Sequence, residues 1–194
     1  MLNRLTLERI DTLVAEYRRL AAEHPAALEQ IALAELPETV HQSNAIENST
    51  LTLEDTERIL AGFAPAHRHD LREIYEARNL AHVTQDLLGS DTPLTIDAIT
   101  RWHGFLLRDI RDDVAGRFRQ GDEWVRVGTH LGANPAFVPD LVASALERYE
   151  QHQFDSDLEA IAWFHCEFEI IHPFVDGNGR IGRALMNKQL HDWR

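Results

Sequence analysis

The strongest constraint on this chain lies near its C-terminal end, where a helical pattern breaks once and then resumes. From Asp157 through Ile161, Phe164, Phe168 and Ile171, apolar residues recur at the steps of one buried helix face. His172-Pro173 ends the run, because a proline ring disfavours helical geometry at the residue before it. Gly177 and Gly179 follow, both able to take positive φ and to let backbone approach closely. A helix resumes at Arg180 and runs to about Leu190. Two helices are therefore joined by a tight turn whose amides converge beside a helix N-terminus, which carries about half a positive charge.

The same periodicity organises most of the remaining chain. Residues 3–22 read as a helix on Leu5, Ile10, Leu13, Val14, Tyr17 and Leu20, ended by His24-Pro25. A second spans about 26–48, with a break or kink expected at Pro37. Thr52 starts a third in a capping-box pattern, with Asp55 in place of the usual Glu, and this helix stops near Gly62. A fourth covers 69–88 and ends at Gly89-Ser90; Thr95 caps a fifth carrying Ile96, Ile99, Trp102, His103, Leu106 and Leu107. Residues 116–138 differ. Gly116, Gly121, Gly128 and Gly132 punctuate short β-prone pieces such as 123–127, the pattern of a small hairpin. Pro139-Asp140 opens another helix to about His152. The expected fold is mainly α with one β-hairpin, in two parts: an N-terminal helical region, 1–94, and a core domain, 95–194.

Charge narrows the function. Nineteen basic and 32 acidic side chains give a net charge of −13, which repels polyanions and argues against nucleic acid as the main partner. No stretch approaches the ~20 apolar residues of a membrane helix, and the N-terminus lacks the apolar run of a signal peptide. Cys166 is the sole cysteine, so no intrachain disulfide forms, and a cytoplasmic setting fits. Cys166 and the eleven scattered histidines show no zinc-binding spacing.

A local exception to the acidic surplus is Arg180 with Arg183, on one face of the helix that follows the turn. Their forked donors match phosphate oxygens, and a glycine turn at a helix N-terminus binds the same anion. Asp176 is a hard oxygen ligand suited to Mg²⁺. Asn178 can hydrogen-bond to a phosphoryl oxygen, and His172 can take a proton near pH 7. Phe174 anchors the turn in the core. Base, metal ligand, anion cradle and arginine pair together serve transfer at a phosphate. Gly177-x-Gly179-x-x-Gly182 also matches a dinucleotide fingerprint, but that motif needs a preceding strand, and here a helix precedes it. A Walker A sequence is absent.

Residues 172–183 match HPFx(D/E)GNGRxxR at every fixed position, and on that basis the chain resembles the Fic family. The resemblance implies a helical bundle with a β-hairpin flap, and AMP transfer from ATP, with Mg²⁺, to a Ser, Thr or Tyr hydroxyl of a protein. It makes His172 the general base and Asp176 the Mg²⁺ ligand. The amides of Gly177, Asn178 and Gly179 would cradle the α- and β-phosphates, and Arg180 and Arg183 would reach the β- and γ-phosphates. Val127, Gly128, Thr129 and His130 resemble the flap that holds the target as an added strand. Upstream, Ser43-Asn44-Ala45-Ile46-Glu47-Asn48 resembles the family's inhibitory motif, (S/T)xxxE(G/N). That match implies that Ser43 and Glu47 lie on one helix face in an N-terminal helical extension, and that Glu47 pairs with Arg183 in place of the γ-phosphate.

The resemblance covers most of 35–194 and leaves room for self-modification and a homodimer. It departs at the C-terminus. Relatives continue into a further helix that helps enclose the adenine, whereas this sequence stops at Arg194, so either it is a truncated piece or the base is enclosed differently. Alternatives are a hydrolase that removes AMP, with Glu47 orienting water, and a nucleotide-binding regulatory module of toxin–antitoxin type. Transfer of phosphate alone is disfavoured, because that variant carries Lys where this chain has Gly179.

Overall fold

In the computed structural model, which describes residues 4–151 and 153–193, the periodicity becomes eight α-helices and one two-stranded hairpin among the described residues. In chain order these are α1 (Arg4–Glu23), α2 (Pro25–Ile46), α3 (Leu53–Leu60), α4 (Leu71–Leu88), α5 (Ile96–Leu106), β1 (Arg126–Val127), β2 (His130–Leu131), α6 (Val138–Glu150), α7 (Asp157–Ile171) and α8 (Asn178–Trp193). The expected first residue of the first helix, Asn3, and the expected end of the sixth at His152 lie outside the described residues.

Short polar residues set the helix starts. Thr52, Asp70, Thr95 and Ser156 each accept a hydrogen bond from a first-turn amide, from Asp55, Arg72, Ala98 and Glu159 respectively, each worth about 1 kcal/mol. Asp70 is therefore the cap of α4, and His69, expected inside that helix, precedes it. The Thr52 box is also altered. The Asp55 carboxylate accepts from the Thr52 hydroxyl at 2.7 Å and from the Ala66 amide at 2.6 Å, so it ties α3 to the connection leading into α4.

Of the break or kink expected at Pro37, the break does not occur: α2 is continuous through it. The proline removes the amide that would bond to the carbonyl of Leu33. Leu33 is exposed, so water can satisfy that oxygen. The hairpin is shorter than its β-prone sequence. Arg126 pairs with Leu131 and Val127 with His130 around a two-residue turn, where Gly128 has φ +56°. Glu123, expected in the strand, instead turns its carboxylate back onto the Gln120 amide and the Arg117 guanidinium.

α8 packs against α7, α4, α5 and α2. Ile181 and Leu185 of α8 enter a core with Ile99, Trp102, Leu106, Phe164, Phe168 and Phe174, and Val40, Leu51 and Ile59 belong to the same cluster. The core therefore continues across residue 94 without a gap. Among the described residues no helix is long and apolar enough to cross a membrane.

Candidate active site

The site begins where α7 stops. His172 takes a left-handed conformation, φ 52° and ψ 63°, which costs about a kcal/mol or more in a residue with a Cβ and must be held by its surroundings. A buried arginine holds it. Arg119 donates from Nε to the His172 carbonyl (2.7 Å), from Nη2 to Ile171 and Ala133, and from Nη1 to Glu123. Its own amide bonds to the Pro173 carbonyl. One guanidinium thus satisfies the C-terminal carbonyls of α7, where the helix dipole favours a cation, and ties them to the stem of the hairpin. Burial lowers the Arg119 pKa from its ordinary value.

The His172 ring is fixed as well. Nδ1 lies 3.3 Å from the Glu169 carbonyl. A carbonyl only accepts, so Nδ1 carries the hydrogen and Nε2 presents a lone pair. Burial pushes the imidazole below its usual range, with the Arg119 and His130 charges adding to the effect.

Past Pro173 the turn hangs on two buried side chains. Asn178 accepts from the Phe174 amide and donates to the Phe174 carbonyl, both at 2.8 Å. Its side chain is thereby spent on the loop, and its main-chain amide is what remains for an anion. His103 of α5 stacks on Phe174 at 3.7 Å between ring centroids. It accepts from the Gly116 amide at Nδ1 and donates from Nε2 to the Asp176 carbonyl, both at 3.0 Å. Burial lowers its pKa to about 4, so the ring stays neutral and both bonds persist.

α8 starts at Asn178, two residues earlier than expected, since the Ile181 amide already bonds to the Gly177 carbonyl. Of the two turn glycines only Gly177 uses a positive φ, +78°. Gly179 serves close approach. A Cβ there would collide with the Glu47 carboxylate and would stand 2.9 Å from Arg183 Nη1.

Glu47 reaches that position from the end of α2. Asn48 is left-handed, φ 65°, with its amide on the Ala45 carbonyl and the Ser49 amide on the Asn44 carbonyl. This is a Schellman closure with Glu47 as the C-cap. The Asn of the motif therefore has a backbone reason, since Asn tolerates positive φ. Arg183 closes the junction. Its Nη2 donates to Glu47 Oε1 at 2.7 Å and to the Ser43 carbonyl at 2.9 Å, and its Nε donates to the Ser43 hydroxyl at 3.0 Å.

Asp176 faces a polar cleft of ≈ 370 Å³, lined also by Glu47, Arg72, Glu76 and Arg180. Arg72 donates to Asp176 Oδ2 at 2.6 Å and to Glu76 at 2.9 Å, while Arg180 lies 3.2 Å from Asp176 Oδ1 and 3.0 Å from Glu76. Burial opposes ionisation of Asp176, but Arg180 and Arg72 outweigh it and hold its pKa below the ordinary value. Arg180 Nε is buried without a hydrogen-bond partner.

The hairpin lies beside His172. The Ala133 amide bonds to the Ile171 carbonyl and His130 Nε2 donates to the Ile170 carbonyl at 2.8 Å. Gly132 allows the close fit, because a Cβ there would stand 3.1 Å from His172 Cβ. Val127 and Leu131 are exposed, which leaves a short strand pair open at its edges.

The fold thus brings His172, Asp176, Gly177, Asn178, Gly179, Arg180, Arg183, Ser43 and Glu47 to one end of α8, with Val127, Gly128, Thr129 and His130 on the adjoining hairpin. Four contributors had no assigned role in the sequence. His103 was visible as a histidine on an apolar helix face, and Arg72 with Glu76 as an i, i+4 pair. Arg119 carried no signal, since its side chain bonds only to main-chain carbonyls.

Residues 93–190 match the model of the Fic/DOC family. Among curated proteins, the chain is 30% identical over 160 residues to a protein adenylyltransferase Fic from Nematostella vectensis, covering 76% of this chain and 36% of that protein. It is 28% identical over 190 residues to a protein of the same name from Drosophila melanogaster, covering 94% and 38%. The chain thus spans little more than a third of the length of these relatives. Among solved structures, a Fic domain containing signaling protein from Bacteroides thetaiotaomicron superposes with a TM-score of 0.80 at 25% identity, covering 95% of this chain and 72% of that one. A Fic family protein from Desulfovibrio desulfuricans gives 0.76 at 31% identity, covering 100% and 59%.

Proposed function

Given that the chain belongs to the Fic/DOC family, we propose that it is a protein adenylyltransferase that moves AMP from ATP to a hydroxyl of a protein side chain and is held off by its own Glu47. The observation that carries this reading is the Glu47 carboxylate lying over Gly179 and paired with Arg183. An anion already occupies the N-terminus of α8, where a phosphate would be favoured. The names of the curated relatives support the reaction class.

In this reading His172 Nε2 takes the proton of the attacking hydroxyl. The hydroxyl oxygen bonds to the α-phosphorus, the bond from that phosphorus to the bridging oxygen breaks, and pyrophosphate leaves. The amides of Gly177, Asn178 and Gly179 and the guanidinium of Arg180, whose Nε has no protein partner, face the phosphates. Arg183 reaches them only after releasing Glu47. Mg²⁺ takes one or two carboxylates and completes its shell with phosphate oxygens and water, so the ionised Asp176 on the wall of a polar cleft fits it, with Arg72 yielding Oδ2. When bound, the ion neutralises charge on the phosphates. The target segment adds as a strand to the hairpin at Val127, Gly128, Thr129 and His130.

The test compares Glu47→Gly, wild type and His172→Ala in Glu47→Gly, each incubated with labelled ATP and Mg²⁺. Glu47→Gly should label itself or a target above wild type, and the double variant should lose about 10²–10⁴-fold of that signal. Equal labelling in all three proteins would overturn the proposal.

A further inference from the structure

Away from the loop, the α3–α4 connection gathers Asp55, His67 and His69, one ligand atom of each lying within 4.8 Å of the others. His67 Nδ1 stands 3.2 Å and His69 Nε2 3.1 Å from the same oxygen, Asp55 Oδ2. Asp55 has no solvent exposure. Its Oδ1 is occupied by the Ala66 amide, and Oδ2 already accepts the Thr52 hydroxyl.

The far side of His69 shows which nitrogen carries hydrogen. The Thr50 hydroxyl donates to Glu73 Oε2 at 2.9 Å, because a carboxylate only accepts. Thr50 Oγ1 therefore meets His69 Nδ1, 3.0 Å away, as an acceptor, and Nδ1 bears the hydrogen. A neutral His69 then points the Nε2 lone pair at an ionised carboxylate, two acceptors facing each other at 3.1 Å. A cation at Nε2 removes the conflict. The surroundings favour a metal ion over a second proton. The nitrogen of a second imidazole converges on the same oxygen. The spacings of 3.1 and 3.2 Å, themselves hydrogen-bond lengths, need open by only a few tenths of an ångström to reach the roughly 3.3–3.6 Å edge of a tetrahedron with metal–ligand bonds of about 2.0–2.2 Å. The outward hydrogen bond of His69 to Thr50, backed by Glu73, is the support that metal-bound histidines receive. Imidazole with carboxylate suits zinc and its neighbours, whereas Mg²⁺ and Ca²⁺ take oxygen alone.

We propose that Asp55, His67 and His69 form a site for a zinc-type divalent transition-metal ion, with solvent in the fourth position beside the exposed His67. The sequence shows no zinc spacing because the carboxylate precedes the His-x-His pair by a whole helix. The site joins α3 to the start of α4. Through Thr50 and Glu73 it also touches Ser49, two residues after Glu47, so a bound ion braces the segment from which Glu47 is presented.

The experiment uses the full chain, free of any affinity tag, stripped with chelator and titrated with Zn²⁺ by calorimetry and with Co²⁺ by visible absorption, without ATP. One ion per chain, a four-coordinate cobalt band and a Tm rise of about 5–10 °C at 100-fold excess over Kd are expected. His67→Ala removes an exposed ligand and should keep the circular dichroism and the metal-free Tm of wild type. It should bind at least about tenfold more weakly and lose the cobalt band. Absence of ion uptake by wild type, or equal affinity in His67→Ala, overturns the site and leaves Asp55 as a hydrogen-bonding hub of the α3–α4 connection alone. Neither result bears on AMP transfer, which is measured separately.

Discussion

Two junctions meet at the N-terminus of α8, and opposite kinds of force hold them. The turn from His172 to Gly177 hangs on buried hydrogen bonds from Arg119, His103 and Asn178, side chains with 3% exposure or less. Water cannot compete for those bonds, and breaking one strands a buried polar atom at about 1–3 kcal/mol. The α2 junction hangs on Arg183, whose partner Glu47 is 41% exposed at its side chain. Ion pairs of that kind contribute about 0–1 kcal/mol, because water and salt replace either partner cheaply. The turn is thus held by contacts closed to water, and the carboxylate over it by a contact that water can reach.

The largest effect should come from attacking the buried side. Arg119→Met removes four hydrogen bonds and leaves the His172, Glu123 and Ala133 carbonyls without those donors, the Ile171 carbonyl keeping the Ala133 amide, and should cost about 3–5 kcal/mol in urea denaturation; a loss below about 1 kcal/mol would remove Arg119 as the anchor of the turn. Acid probes the same side through His103. Its folded pKa of about 4 lies below the ordinary 6.5, so as pH falls through 6.5 the unfolded chain takes up a proton that the folded chain refuses. The stability present above pH 6.5 should therefore fall by about 3 kcal/mol between pH 6.5 and 4. In His103→Asn that part of the pH slope should vanish, and an unchanged slope would assign the acid loss to other groups.

The exposed side should answer differently. Glu47→Gly should raise AMP transfer about 10–100-fold, the range of a typical coupling energy between sites, and shift stability by less than about 1 kcal/mol. A large stability loss would make Glu47 a structural residue and erase the contrast. Ser43→Ala gives the smallest effect. It removes one hydrogen bond to Arg183, worth about 0.5–1.5 kcal/mol, and should activate transfer only about threefold to tenfold. Activation equal to that of Glu47→Gly would show that Ser43, and not the carboxylate, holds Arg183.

Much of this arrangement was legible from one dimension. The helices follow from apolar spacing and from Thr52, Thr95 and the glycines as boundaries. The turn follows from Pro173 and Gly177. The pairing of Glu47 with Arg183, 136 residues away, was expected from resemblance alone, and the fold adds Ser43, 140 residues from Arg183, to the same contact. Other features had no readable trace. Pro37 forecast a break or kink, and solvent at Leu33 makes the break unnecessary. Asn178 looked like a phosphate ligand, yet its amide matches the main chain of Phe174 and is consumed there. Arg72 meets Asp176 across 104 residues, and nothing in either local pattern marks the other as partner.

The sequence by itself determined where helices start and stop, that a glycine turn opens α8, and which residue types stand ready for a phosphate. These are local matters, set by backbone sterics and by side chains within a turn or two of each other. Only the tertiary structure decided that a buried guanidinium holds His172 in a left-handed conformation, that a neutral histidine carries the loop, and that the carboxylate at the end of α2 rests on Gly179. Each depends on main-chain atoms or distant charges brought within 3 Å or so, and on the exclusion of water from some of those contacts but not from Glu47. Burial is a property of the packed chain, and here it separates the water-excluded contacts of the turn from the solvent-reached contact of Glu47.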